Sequence, residues 1–488
     1  MRRPGSILAM ALMASPAMAS DPAYDSAVEA VQLRMDEIDR QEGRIPGRVL
    51  VFAKAGEEPI VDARGVRNIE RGDPVNADTP FYVASMTKAF VGLMAIRLDR
   101  QGIMPLDMTL AEAYPDMKVQ GVDLAKVTMR MALSHQLGFY SGPLSLRTAY
   151  TDRVPVADYG QVVSNAHEPA DAAFNYSNNG YILYAGALEK HTGRSWKAWL
   201  DEMVLMPLGM RNSSARTSDL PNAANTHEIY ESGWRVYAPK TDEIMHAAGG
   251  MFVSGSDMGK WLLANAGADS AIPADVLDAA HTPVSAPERS KGPIRCTGYA
   301  FGWAVCEAAG VRFLEHGGSY VGTRSEMIVL PDQGVGFAAM FNSDSMTGGL
   351  GEQLSLSFIL AYAGQTEQLP PPDAFGATYA QMADRYRVNR SKQEVAIVPG
   401  EWAPDTAALA SYSGRYAHPA LGELRLVGDG GRLVGWLNGT ELEFIPQARH
   451  QFMARLRTDN EYLPFTLVAG EDGRFLEVTW DGSIFTRR

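Results

Sequence analysis

The chain has 488 residues, 46% hydrophobic and 21% charged, a globular composition that excludes disordered, collagen-like and low-complexity classes. With 44 Lys plus Arg against 57 Asp plus Glu the formal net charge is −13, and no basic run occurs beyond the terminal pairs Arg2–Arg3 and Arg487–Arg488. Phosphate neutralisation needs clustered Lys and Arg, so nucleic-acid binding is set aside. The length fits about three domains, or one large α/β domain with an appendage, and needs no metal for a stable core.

Residues 1–19 read as a secretory signal: Arg2 and Arg3 form the positive n-region, Ile7 to Met13 the apolar stretch, and Ala17-Met18-Ala19 the cleavage site. That stretch is too short to span a bilayer, and no later one approaches 18 residues. The mature protein is therefore expected in the periplasm without a membrane span. An exported chain with two cysteines permits one disulfide, Cys296–Cys306, or two free buried thiols. Their spacing is not C-x-x-C.

Taken in chain order, Val28, Val31, Met35 and Ile38 share one helical face, and Arg48 to Ala53 reads as extended. Helices are expected over Ser85–Arg100, Val127–Ser134, Gly180–His191 and Trp196–Met206, with Ser256 capping a short helix to Ala266. Short apolar segments at Tyr299–Val305, Val311–Glu315, Ser325–Leu330 and Val335–Phe341 read as successive antiparallel strands, followed by a helix over Leu354–Tyr362. Leu369-Pro-Pro-Pro372 marks a stiff extended break, and residues 365–405 are taken as a linker. From about Tyr412, short strands and Gly-rich turns predict a small antiparallel barrel over 406–488.

No G-x-S-x-G, H-E-x-x-H, Walker A or G-x-G-x-x-G occurs, which argues against α/β-hydrolases, zincins and common nucleotide-binding folds. Ser85-Met-Thr-Lys88 does occur, at the start of an apolar helix, and it is the only S-x-x-K in the chain. Residues i and i+3 share a helical face, so the Lys88 amine can reach the Ser85 hydroxyl. A serine needs a base to become a nucleophile, and a lysine whose pKa is lowered can supply it. Alone, the pattern reads as a capping serine with a solvated lysine. The second element is Tyr176-Ser-Asn178: a phenol beside an ammonium can shuttle protons, and the Asn178 amide can hold a carbonyl or orient the lysine. The third is His316-Gly-Gly318-Ser319, whose glycines admit a ligand close to the backbone. The N–H groups of Ser85 and Ser319 are candidates for an oxyanion hole.

In this order and spacing, S-x-x-K, Y-x-N and H-G-G resemble the three motifs of the serine β-lactamase-like hydrolases of the class C type, which also include D-aminopeptidases, DD-peptidases and esterases. Phe81-Tyr-Val-Ala-Ser85, Val127 to His135, Asn175 to Tyr181, Pro207-Leu-Gly-Met210, Ala248-Gly-Gly-Met251 and Tyr299 to Trp303 are similar to further family signatures. The resemblance covers residues 25–363. It implies an α+β, β-lactamase/penicillin-binding-protein-like transpeptidase fold over residues 20–364: an antiparallel sheet flanked by helices, plus a helical subdomain. The C-terminal strands resemble the lipocalin-like barrel of some D-peptidase members.

The resemblance further implies Ser85 as the acylated nucleophile and Lys88 and Tyr176 as base and proton relay. Asn178, His316, Gly318 and Ser319 would contact substrate. Two departures stand out. At His135-Gln-Leu-Gly138 the usual Thr and Ser are replaced, and His135 is read as a packed residue. The third motif is H-G-G where K-T-G would suit a substrate carboxylate, and histidine is a weaker anion anchor at neutral pH, so β-lactam hydrolysis is expected to be weak or absent. The other histidines show no ligand spacing, and no metal or cofactor is implied. The expected function is an exported serine hydrolase on peptide or amide bonds, with D-residue peptides as the substrate class. A carboxylesterase and a non-catalytic muropeptide- or partner-binding member are the alternatives, and a homo-oligomer is compatible with each.

Overall fold

The computed structural model describes residues 21–40, 44–151, 154–269, 271–344, 348–396 and 399–488. The signal segment 1–19 lies outside the described residues. Among them, no helix is long and apolar enough to cross a membrane.

Helix α1 (Pro22–Asp39) starts where the Asp21 carboxylate accepts from the N–H groups of Ala23 and Tyr24. Strands β1 (Gly47–Lys54), β2 (Ile60–Asn68) and β3 (Asp73–Pro74) follow, then a 3₁₀ turn at Ala84–Met86 leads into α2 (Thr87–Arg100). Helices α3 (Asn179–Thr192) and α4 (Gly255–Asn265) precede the strands β4 (Arg289–Lys291), β5 (Ile294–Tyr299), β6 (Ala304–Ala308), β7 (Val311–Tyr320), β8 (Thr323–Leu330) and β9 (Val335–Phe341). Two helices close this part, α5 (Leu350–Tyr362) and α6 (Pro372–Ala396).

The nine strands form one antiparallel sheet in the order β4-β5-β6-β7-β8-β9-β1-β2-β3. Side chains alternate across a strand, and both faces of the central strands are covered. Leu50 and Phe52 of β1 and Phe337 and Ala339 of β9 pack with α1 and α5, whereas Val49, Val51, Ala338 and Met340 pack with α2 and α4. The second core runs on through Leu133, Tyr181, Leu183 and Leu188 into the helical region that includes α3. The N-terminus of α2 therefore sits where sheet and helical region meet.

Strands β10–β17 (Gly414–His418, Gly422–Asp429, Arg432–Leu437, Thr440–Ala448, Gln451–Leu456, Leu463–Ala469, Phe475–Trp480, Ser483–Arg487) close into a barrel. Leu424, Leu426, Phe452, Phe465, Val478 and Phe485 fill it, with Tyr412 from the short preceding helix. The barrel docks on the first domain through named bonds: the Tyr320 hydroxyl donates to the Thr458 carbonyl at 2.8 Å, and Thr458 Oγ1 donates to the Tyr150 carbonyl at 2.7 Å.

Several local expectations are corrected. The helix cap near 255 is Ser254, whose Oγ accepts from the Asp257 N–H at 3.2 Å, while the Ser256 hydroxyl donates to Asp78. Residues 300–303 turn rather than continue a strand, because Gly302 (φ +83°) presses against the backbone of Ala89. The helix expected over Val127–Ser134 is only Met129–Leu133, and that over Trp196–Met206 is α-helical to Leu200 and continues as a π-helix over Asp201–Leu205. The expected linker is largely α6. Its Phe375, Tyr379 and Ala383 recur every four residues and are buried in the core that α1 shares, and Arg34 donates to the Pro370 carbonyl at 2.7 Å. Proline costs nothing at a helix's first position, so Pro372 opens α6 rather than barring it. Cys296 and Cys306, opposite each other on β5 and β6, form a disulfide.

Gly92 holds α2 against the 300–303 turn: a Cβ there would lie 2.2 Å from the Phe301 carbonyl oxygen. Gly92→Ala is expected to destabilise the fold by about 1–3 kcal/mol in urea unfolding. An unaltered midpoint would show that the helix does not need this approach.

Candidate active site

Ser85 sits in the 3₁₀ turn before α2, after Ala84, which adopts a left-handed φ of +46°. A non-glycine residue there is uncommon, and such strain clusters at functional sites. Lys88, in the first turn of α2, is fully buried. Its Nζ donates to Ser85 Oγ at 3.1 Å, to Asn178 Oδ1 at 2.9 Å and to the Ala248 carbonyl at 2.7 Å. Three acceptors match the three protons of an ammonium, and among the described residues no carboxylate pairs with it. Burial pushes the Lys88 pKa down, with Tyr176 opposing. Next to the serine hydroxyl the charged form of this amine therefore costs more than it would in water.

Tyr176 is half exposed at the mouth, its ring centroid 4.9 Å from Lys88 Nζ. Asn178 is the residue before α3. The Y-x-N turn is held from beneath by His135, which is buried with φ +64°. Its Nδ1 accepts from the Ser177 N–H at 3.1 Å and its carbonyl from the Asn175 N–H at 2.8 Å. Burial holds the His135 pKa well below the ordinary value, so this imidazole is a neutral brace.

Strand β6 covers only Val311–Glu315 of β7, which leaves residues 316–320 without a β6 partner, beside the Ser85 turn. Gly318 is required here: a Cβ would fall 2.1 Å from the Val83 carbonyl oxygen and 2.4 Å from Ser325 Oγ. Ser85, Tyr176, Gly317, Gly318 and Ser319 line one cavity of about 360 Å³. His316 is not among its lining residues. Its Nδ1 bonds the Gly317 carbonyl at 2.7 Å and its Nε2 faces the Tyr299 hydroxyl at 3.2 Å, so both nitrogens are used within the protein. Burial, with Lys88 adding, pushes its pKa down to about 3. His316 is thus a buried, neutral group whose ring nitrogens are bonded within the protein beside the cavity. The cavity's cations are matched internally: Lys291 pairs with Glu352, and Arg324 lies 3.8 Å from Asp344.

The structure therefore brings together Ser85, Lys88, Tyr176, Asn178, Gly318 and Ser319. Sequence reasoning missed the Ala248 carbonyl, because backbone acceptors carry no residue signature, and Tyr299, whose hydroxyl faces His316 Nε2 while the Gly317 carbonyl holds the proton on Nδ1.

The beta-lactamase family profile matches residues 27–355. The chain belongs to the beta-lactamase family. It is 26% identical over 370 residues to penicillin-binding protein 4 of Amycolatopsis lactamdurans, covering 70% of this chain and 93% of that protein. It is 29% identical over 211 residues to esterase EstB of Burkholderia gladioli, covering 39% of this chain and 54% of that protein. The D-amino acid amidase of Ochrobactrum anthropi SV3, complexed with L-phenylalanine amide, superposes with a TM-score of 0.58 at 19% identity, covering 69% of this chain and 99% of the amidase. Sheet, flanking helices and helical region are thus the β-lactamase/penicillin-binding-protein-like fold, with a C-terminal barrel added.

Within this family member, His316, His227 and His281 are buried, with pKa values pushed down to about 3, about 4 and about 4 by burial. The unfolded chain binds protons at these imidazoles below about pH 6.5, and the native state refuses them until far lower pH. Stability is therefore expected to fall as pH drops from about 6.5 towards 4. His316→Gln should narrow the gap between melting midpoints at about pH 8 and about pH 4.5. An unchanged gap would show that His316 takes up no extra proton on unfolding.

Proposed function

We propose that this chain is an exported serine hydrolase that forms a Ser85 acyl-enzyme on amide or peptide bonds, with D-aminoacyl amides and D-residue peptides as its substrate class. The observation that carries the reading is the buried Lys88 amine bonded at once to Ser85 Oγ and Asn178 Oδ1. Neutral Lys88 takes the Ser85 proton as Oγ bonds to the substrate carbonyl carbon. The scissile C–N bond then breaks, and the leaving amine departs with a proton delivered through Tyr176. Water, deprotonated by the same groups, attacks the ester carbonyl, releasing the acid and restoring Ser85. Backbone N–H groups of Ser85 and Ser319 take the oxyanion, a kind of contact worth about 10²–10³ in rate.

The neutral His316 and the internally paired Lys291 and Arg324 offer no free cation for a substrate carboxylate. That supports amides or esters without a terminal carboxylate over β-lactams. Likeness in fold to a D-amino acid amidase supports the amide reading. Likeness to esterase EstB supports a second reading, a carboxylesterase using the same residues. The Cys296–Cys306 disulfide supports export, since such bonds persist in oxidising compartments.

Intact-mass measurement after treatment with a fluorophosphonate should show one adduct, absent in Ser85→Ala. Lys88→Met should slow adduct formation by about 10²–10⁴-fold, the usual range for a lost general base. Matched D- and L-aminoacyl p-nitroanilides and p-nitrophenyl esters then separate the two readings. Turnover of D-anilides over L-anilides is the expected result, and turnover of esters alone would replace it with the esterase. No adduct on folded protein would favour a non-catalytic binding role.

A further inference from the structure

A second cavity, of about 570 Å³, lies where the barrel meets the catalytic domain, within the size range of small-ligand sites. Its charge is one-sided: Lys240, Arg235, Arg455 and Arg457 line it against Glu443 alone. Two of these cations are buried with bonding capacity to spare. Lys240 is 7% exposed and has no carboxylate partner among the described residues; its Nζ lies among the rings of Tyr82, Tyr150 and Tyr320, at 4.4 Å from the last, and 3.5 Å from the Tyr82 hydroxyl. Arg455, from β14 of the barrel, is 8% exposed. It spends Nε and Nη2 on Glu443, at 2.7 and 2.6 Å, while its buried Nη1 has no partner.

A buried donor without an acceptor costs about 1–3 kcal/mol, and more for a charged group. Arg455 Nη1 is such a donor, and Lys240 Nζ has only the long contact to the Tyr82 hydroxyl; these cations, one from each domain, line one cavity and are complementary to a bound anion. Phe252 and Val321 add apolar wall beside them. We propose that this interdomain cavity is a binding site for a small carboxylate ligand with an apolar body, its carboxylate accepting from Lys240 Nζ and Arg455 Nη1 and so bridging the two domains. Burial alone pushes the Lys240 pKa down to about 7, and a bound anion would favour its charged form. The site adjoins the nucleophile's supports on two sides. The Tyr82 hydroxyl bonds the Gly249 carbonyl, next to the Ala248 carbonyl that holds Lys88, and Tyr320 follows Ser319 on β7.

The test is isothermal titration of the full chain with benzoate, benzamide and inorganic phosphate, repeated on Lys240→Met and Arg455→Lys. The second variant keeps the charge facing Glu443 but removes the spare Nη1 donor, so the proposal stays testable if the first does not fold. Benzoate is expected to bind about tenfold or more tightly than benzamide, and each variant should weaken it about tenfold, the loss of one charge-assisted bond. Absence of benzoate binding, or equal binding to wild type and variants, would overturn the site. Binding of phosphate without benzoate would overturn the carboxylate assignment.

Discussion

Lys88 is an amine sealed from water whose three hydrogen-bond partners are a hydroxyl, an amide oxygen and a backbone carbonyl. None is a carboxylate, so burial raises the cost of its charged form with no ion pair to offset it. Each element of the cleft serves that condition. The 3₁₀ turn and the start of α2 hold Ser85 and Lys88 one turn apart, Asn178 stands just before α3, and the 245–251 turn offers Ala248. Small residues let these parts close up. A Cβ on Gly180 would lie 1.9 Å from the Ala132 carbonyl oxygen, and one on Gly318 would strike the backbone just ahead of Ser85. Larger residues would open the space around Lys88 to water and weaken the burial that pushes its pKa down.

Much of this was legible in the sequence because it is encoded locally. The i, i+3 relation of Ser85 and Lys88 follows from helical geometry, and the apolar stripe of α1 and the alternation in β1 follow from the two backbone periods. What was not legible is encoded by contact across the chain. Ser254, not Ser256, caps α4 because Asp78 draws the Ser256 hydroxyl away. Residues 372–396 look polar and follow three prolines, yet they fold as a helix because Phe375, Tyr379 and Ala383 find the core behind α1. The state of His316 turns on contacts from across the chain: burial and the nearby Lys88 push its pKa down, and the Tyr299 hydroxyl, 17 residues earlier, faces its Nε2.

Charge is distributed differently in the two cavities. Around Ser85 the cations Lys291 and Arg324 stand beside Glu352 and Asp344. Between the domains the buried Arg455 Nη1 has no partner, and Lys240 Nζ lies among tyrosine rings without a carboxylate beside it among the described residues. Tyr320 stands between the two regions, packing on Lys240, donating to Thr458 of the barrel and following Ser319 in β7. The barrel is thereby connected to the strand that borders the nucleophile, although none of its residues lines the Ser85 cavity.

The account rests on a neutral Lys88 at working pH, and that can be observed directly. Lysine side chains labelled with ¹⁵N report their own protonation by NMR, and the Lys88 signal is assigned by its loss in Lys88→Met. The account predicts that this amine titrates well below the ordinary lysine value of about 10.4. A Lys88 that stays protonated to that value or beyond would contradict it, and the base for Ser85 would have to be sought elsewhere.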